Sequence, residues 1–265
     1  MSEAAAREVV IELQDVRRSF GGHAVLRGVN LEILAGETFT ILGGSGSGKS
    51  VCLKHMIGLL KPDSGRVRVF GQDITRLPEH RLVPIRQAVS MVFQSAALFD
   101  SLSVYENVAY PLREHMRWPE ARIAARVRAC LSAVGMEGVE SMMPAELSGG
   151  MRKRVGVARG IALEPRVILY DEPTTGLDPA NQQRVGDLIR SLQQTLRITS
   201  VVVTHELDLC FSVSDRVALL KSGRIAAIGT AEAMRASDQV DVRAFLDGVR
   251  DSIEDEPGGR VSHGR

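Results

Sequence analysis

Apolar residues recur along this chain in two rhythms, and their order outlines the fold. Runs with strand character come first, over residues 9–13 and 29–33, with Gly21-Gly22 and Gly36 marking turns. A compact apolar strand, Thr38–Leu42, runs directly into a glycine-rich stretch at 43–48. A helix is predicted from Lys49 to about Leu60, stopped by the turn Pro62-Asp63-Ser64-Gly65. Strand patterns resume at residues 66–70 and 88–93. From about residue 95 to 146 they fade, and residues 120–134 place Ile123, Val127, Cys130, Leu131 and Val134 at helical spacing. Strands return at 167–170, 200–204 and 217–221 with helical segments between them, which predicts a largely parallel α/β core interrupted by a helical lobe.

No apolar run approaches the roughly 20 residues a membrane helix requires, and residues 9–11 are too short for a secretory core. The chain is therefore expected in the cytoplasm, with any membrane role taken from a partner. Its 265 residues, 44% of them hydrophobic, suffice for one sizeable core or two closely packed lobes. Lys+Arg 33 against Asp+Glu 32 leaves a formal charge of +1, without the basic excess that phosphate-backbone binding requires, so no nucleic-acid partner is expected. Cys52, Cys130 and Cys210 are widely spaced and read as small buried hydrophobes in a reducing compartment. Residues from about Arg250 are charged and glycine-containing, so 249–265 is expected to be a mobile tail.

The chemistry begins in the glycine-rich stretch. Gly43-Gly44-Ser45-Gly46-Ser47-Gly48-Lys49-Ser50 fits the phosphate-loop (P-loop) pattern, in the required place between a strand and a helix. Glycines let backbone N–H groups close around phosphate oxygens, and the helix N-terminus adds the positive end of its dipole. Lys49 would neutralise the β- and γ-phosphates and Ser50 would ligate Mg²⁺. The strand at 167–170 ends in Asp171-Glu172, at the sheet edge where open α/β folds bind ligands. Asp171 would hold Mg²⁺ through its water shell, and Glu172 would polarise an attacking water.

Leu147-Ser148-Gly149-Gly150-Met151 opens a helix predicted over residues 152–162. This segment resembles the signature of ABC ATPases, with methionine where that family usually has glutamine. The family's other motifs follow in order: Gln94 as the Q-loop, Gly176-Leu177-Asp178 as the D-loop and His205 as the switch histidine. The resemblance spans residues 9 to about 230. It implies an ABC-type P-loop NTPase fold over residues 9–248, with a mostly parallel core sheet, an N-terminal antiparallel β subdomain and a helical subdomain inserted at about 95–162. It implies ATP and Mg²⁺ as ligands. Two head-to-tail protomers would sandwich two ATP molecules, with Ser148, Gly149 and Gly150 of one clamping the γ-phosphate held by the other. Val51 would join the phosphate site and Asp178 the nucleotide site. His205 would contact the γ-phosphate, Gln94 would sense Mg²⁺ and the attacking water, and Phe20 would stack on adenine.

Met151, the block at residues 93–113 and the C-terminal pieces Ala236-Ser237-Asp238 and Arg243-Ala244-Phe245-Leu246-Asp247-Gly248 are similar to one branch, the ATPases of Mla-type phospholipid transporters that work with MCE-domain proteins. That similarity implies a homodimer on the cytoplasmic face of the inner membrane, serving an integral membrane permease in keeping outer-membrane lipids asymmetric. It also implies an MCE-domain substrate-binding protein and leaves room for a small regulatory subunit. The alternative is an ABC importer or exporter with another small-molecule cargo. DNA-repair ABC ATPases insert long coiled coils before the signature, and the interval from Ser50 to Leu147 lacks sustained heptads. Ribosome-acting ABC proteins fuse two cassettes, whereas this chain has one phosphate loop. Degenerate cassettes lose the lysine or glutamate that Lys49 and Glu172 supply here. The basic stretches Arg152-Lys153-Arg154 and 122–128 read as solvated helix faces.

Overall fold

Two long antiparallel strands, β1 (Val9–Phe20) and β2 (His23–Leu34), open the structure, a computed structural model that describes residues 7–254. Phe20 pairs with His23 across Gly21-Gly22, whose φ values of 54° and 81° make the two-residue hairpin turn compatible with strand twist. Both strands outrun the apolar runs at 9–13 and 29–33. Register shifts after Leu13 and Val16 break the alternation, and the outer halves carry polar residues such as Arg17, Arg18 and Ser19. β4 (Ser64–Val69) and the short β5 (Gln72–Asp73) complete a four-stranded sheet in the order β2-β1-β4-β5.

The second sheet contains β3 (Thr38–Leu42), β6 (Val89–Val92), β7 (Val167–Asp171), β8 (Thr199–Thr204), β9 (Arg216–Lys221) and β10 (Arg224–Thr230). Its order is β10-β9-β3-β8-β7-β6, parallel except where β10 returns beside β9. β3, β7 and β8 are buried at every position, as strands covered on both faces must be.

The helices are α1 (Lys49–Met56), α2 (Glu79–Ala88), α3 (Val104–His115), α4 (Glu120–Ala133), α5 (Gly149–Gly160), α6 (Pro179–Leu196), α7 (Leu207–Val213), α8 (Ala231–Arg235) and α9 (Val240–Glu254). α1 stops short of the expected Leu60 because Gly58, at φ 66°, takes a left-handed helix end. α2, interrupted in pattern by Pro84, runs to Ala88 and shortens the strand expected there. α9 continues past Gly248 to Glu254, so the expected tail begins inside a helix, and residues 255–265 lie outside the described residues.

Strand alternation sorts the core into layers. Phe39, Ile41, Leu169, Val201 and Val203 face α1 and the first sheet, sharing a core with Cys52, Leu53, Met56, Leu13 and Ile33. Burying each of the larger apolar side chains contributes about 1.5–3 kcal/mol. Ile168, Tyr170 and Val202 point the other way and join Val108, Leu112, Val127, Leu131, Val155 and Ile189 of α3–α6. The helical region thus shares its core with the sheet. That arrangement fixes α5 against the sheet edge where the chemical groups converge. The three cysteines are buried and free, and burial pushes the thiols of Cys52 and Cys210 up to about 12.

Candidate active site

The phosphate loop leaves the buried end of β3 between fixed walls. A Cβ on Gly43 would lie 2.5 Å from the Leu220 carbonyl oxygen, so a side chain cannot be placed there. Gly48 caps α1 at φ 106°, a conformation glycine adopts without strain, and makes no side-chain cap. The first N–H groups of α1 are thereby left for an anion. Ser47 Oγ is buried without a hydrogen-bond partner, an unmet polar atom inside the same loop. This cradle fits a phosphate.

Lys49 folds back over the loop. Its buried Nζ donates to the carbonyls of Gly43 (2.8 Å) and Gly44 (3.0 Å) and lies 3.1 Å from Glu172 Oε1. Ser50 Oγ donates to Asp171 Oδ1 at 2.7 Å. A hydroxyl and a carboxylate side by side are hard oxygen donors, the set that Mg²⁺ takes alongside substrate phosphates and water. Val51 follows in the first turn of α1 and packs, partly buried, against the core.

Asp171 ends β7, and Glu172 then turns into the left-handed region at φ 46°. Glu172 Oε2 lies 2.9 Å from His205 Nδ1. A carboxylate only accepts, so Nδ1 carries the hydrogen in this bond. The imidazole is half exposed, with its ring available to a ligand. Thr175 Oγ1 also donates to Glu172, at 3.5 Å. Lys49, Ser50, Asp171, Glu172 and His205 thus meet at the C-terminal ends of β3, β7 and β8, neighbouring parallel strands.

Other expected residues make no direct hydrogen bond to this cluster among the described residues. Ser148 is exposed as the N-cap of α5, accepting from Met151 N at 3.3 Å, and no hydrogen bond among the described residues joins it to the Lys49 cluster. Gly149 and Gly150 continue this edge: a Cβ on Gly150 would come 3.0 Å from Asn181 Oδ1. Asp178 caps α6, accepting from the N and Nδ2 of Asn181 at 3.0 and 2.6 Å, and these bonds hold its carboxyl below the usual carboxylate range. Gln94 is exposed just beyond β6, its carbonyl held by Lys153. Phe20 is 41% exposed, with the Arg18 guanidinium 4.7 Å from its ring centroid.

Two solvated faces expected from the sequence need correction in part. Arg152, Arg122 and Arg128 are exposed, but Lys153 is buried, and Arg126 donates to the carbonyls of Ile161 and Ala162. Lys153 stands three residues from both Gly150 and Gly156 on a buried face of α5, and this spacing was the available signal. Glu206, beside the switch histidine, was also missed. It accepts from Thr174 Oγ1 at 2.6 Å and Gln182 Nε2 at 3.4 Å.

A phosphate loop with its lysine, an acidic strand end and a signature segment opening α5 define an ATP-binding cassette of the P-loop class. The ABC transporter family model matches residues 26–175, and the chain belongs to that family. It is 39% identical over 91% of its length to the intermembrane phospholipid transport system ATP-binding protein MlaF of Escherichia coli K12, covering 90% of that protein. It is 40% identical, again over 91% of its length, to the "Probable ribonucleotide transport ATP-binding protein mkl" of Mycobacterium leprae, covering 70% of it. Among solved structures, cbiO1 of Clostridium perfringens, part of the ABC transporter complex cbiONQ, superposes with a TM-score of 0.81 at 31% identity, over 93% of this chain and 99% of that one. The dimeric ATP-binding cassette MJ0796, bound to ADP and Pi, does so with a TM-score of 0.77 at 32% identity, over 83% and 98%. The protein is an ABC-type ATPase, and among its described residues no helix is long and apolar enough to cross a membrane.

Proposed function

We propose that this ATPase energises a phospholipid transporter from the cytoplasmic face of the inner membrane, as a homodimer with ATP between its protomers. The exposed Ser148, which makes no hydrogen bond to the Lys49 cluster of its own chain, supports the sandwich, together with the likeness to dimeric cassettes. The loop amides, Ser47 and Lys49 hold the β- and γ-phosphates. Ser50 and Asp171 would hold Mg²⁺, which would supply charge neutralisation at the phosphoryl oxygens. Glu172 polarises the attacking water, and His205 orients Glu172 and presents its ring to the γ-phosphate. Gln94 reaches toward the metal and water, Phe20 stacks on adenine, and Val51 completes the first turn around the phosphates. Ser148, Gly149 and Gly150 clamp the partner's γ-phosphate, and Asp178 supports that interface.

An arginine at Ser148 would fill the clamp without touching the Lys49 cluster. Ser148→Arg is expected to bind Mg-ATP as a monomer within about threefold of the parent, a change under 1 kcal/mol, yet to show neither ATP-dependent dimers nor turnover. Full activity would argue against the shared site.

The permease docks in the cleft of about 430 Å³ beside the segment after β6, whose lining includes Leu59, Phe93, Phe99 and Tyr110. Leu59, Phe99 and Tyr110 are large apolar residues left exposed there, as an interaction surface requires. The likeness to MlaF, part of an intermembrane phospholipid transport system, supports the phospholipid cargo, and an MCE-domain protein and a small regulatory subunit are its proposed partners. The competing reading, an importer or exporter of another solute, draws on the name of mkl. Capturing the Glu172→Gln chain from its own membranes with Mg-ATP tests the assignment. A multi-span permease, an MCE-domain protein and bound phospholipid are expected to co-purify. A different permease without lipid would leave the ATPase standing and overturn the cargo.

A further inference from the structure

α5 starts at the signature and lies directly on the segment that follows β6. A Cβ on Gly156 would come 3.0 Å from Ala96 Cβ, and one on Gly160 would come 3.2 Å from Ser90 Oγ, so the helix approaches at backbone distance. Two cations of α5 close over this contact. Arg159 donates from Nη1 to the Ala97 carbonyl and from Nη2 to the Ala96 carbonyl, both at 2.8 Å. Ala96 and Ala97 have φ values of 61° and 47°, sparsely populated for residues with a side chain, and Arg159 pins them there.

Lys153 reaches further. Its buried Nζ donates to the carbonyl of Gln94 and, at 3.4 Å, to the carbonyl of Glu172. Glu172 is itself in the left-handed region, and its carbonyl also accepts from Thr175 N at 3.4 Å. Burial works against the charge on Lys153 and lowers its affinity for a proton, while Glu206, Glu172 and Asp171 work to keep it. A buried ammonium spanning two backbone carbonyls is not required for packing, since methionine has nearly the same stem and volume.

We propose that Lys153 is a positioning residue for ATP hydrolysis: from the signature helix it ties the backbone of Gln94 to that of Glu172. The Glu172 carboxylate then keeps its place toward Lys49 and His205 only while the signature helix and the segment after β6 keep theirs. Movement of α5 in either protomer is thereby felt at the water-polarising group of the same chain. The inference rests on the reading of Glu172 as that group.

The test compares Lys153→Met, Lys153→Gln and Glu172→Gln in the full-length chain, measuring steady-state turnover, Mg-ATP affinity and nucleotide-free melting. Lys153→Met is expected to lower kcat on the order of a hundredfold, the scale of a misplaced catalytic group, with ATP affinity within about threefold. Lys153→Gln retains N–H donors and is expected to recover about tenfold of that loss. Turnover at the parent level in either variant overturns the proposal. So does a parallel loss of turnover, ATP affinity and melting temperature in both, which marks general structural support. Should the methionine chain fail to fold, the glutamine chain decides by the same split between kcat and affinity. An active Glu172→Gln chain would instead remove the underlying reading. An inactive one beside a fully active Lys153→Met would remove only the role of Lys153.

Discussion

Replacing Glu172 with glutamine is expected to leave Mg-ATP binding intact and to lower turnover by about 10²–10⁴-fold, the usual contribution of a positioned general base. The geometry explains why binding survives. Glutamine has the same shape, and its carbonyl oxygen still accepts from His205 Nδ1, which now sits 2.9 Å from Glu172 Oε2. Lys49 loses its charged partner at 3.1 Å but keeps the carbonyls of Gly43 and Gly44. The phosphate cradle is therefore undisturbed, and only the negative charge that draws a proton from water is lost. Because ATP is not consumed, the sandwich persists, and light scattering with Mg-ATP should report a stable dimer. Turnover at the parent rate would show that another group polarises the water.

The second large effect is expected at Lys49, where alanine removes the ammonium from phosphate and carboxylate together. Bonds to charged groups are worth about 1.5–3 kcal/mol each, so Mg-ATP affinity should fall by about 10–100-fold, measurable by calorimetry. The nucleotide-free chain should also melt lower. The Lys49 and Glu172 side chains are only 6% and 11% exposed, and removing Lys49 leaves a buried carboxylate without its cationic neighbour at 3.1 Å. The loss is expected at about 1–3 kcal/mol, because His205 and Thr175 still donate to Glu172. Adding Glu172→Gln to Lys49→Ala should recover part of that stability without restoring affinity, since the orphaned charge is then gone. If the double variant is no more stable than Lys49→Ala, the buried pair is not what holds this edge together.

The two variants probe parts of the site that were legible to different degrees. The phosphate loop could be read because strand, glycines, lysine and helix are contiguous, and Thr38–Leu42 is β3 to the residue. The acidic pair was readable for the same reason, as the end of an unbroken apolar strand. By contrast, α2 and the outer halves of β1 and β2 were not seen. A proline inside the helix and bulges in the hairpin interrupt the periods on which pattern reading depends.

By itself, then, the sequence determined the chemical inventory, its order along the chain and the class of fold. Each of these depends on neighbours within a few residues or on a repeating period. Only the tertiary structure decided which groups meet. It placed Lys49 and Ser50 against Asp171 and Glu172, more than a hundred residues later, and brought Lys153 back to a carbonyl 59 residues earlier. A charge on a helix carries no local mark of whether water or a buried carbonyl will receive it. That is set by how closely two backbones approach, here across Gly156 and Gly160, and such distances arise only when the layers pack.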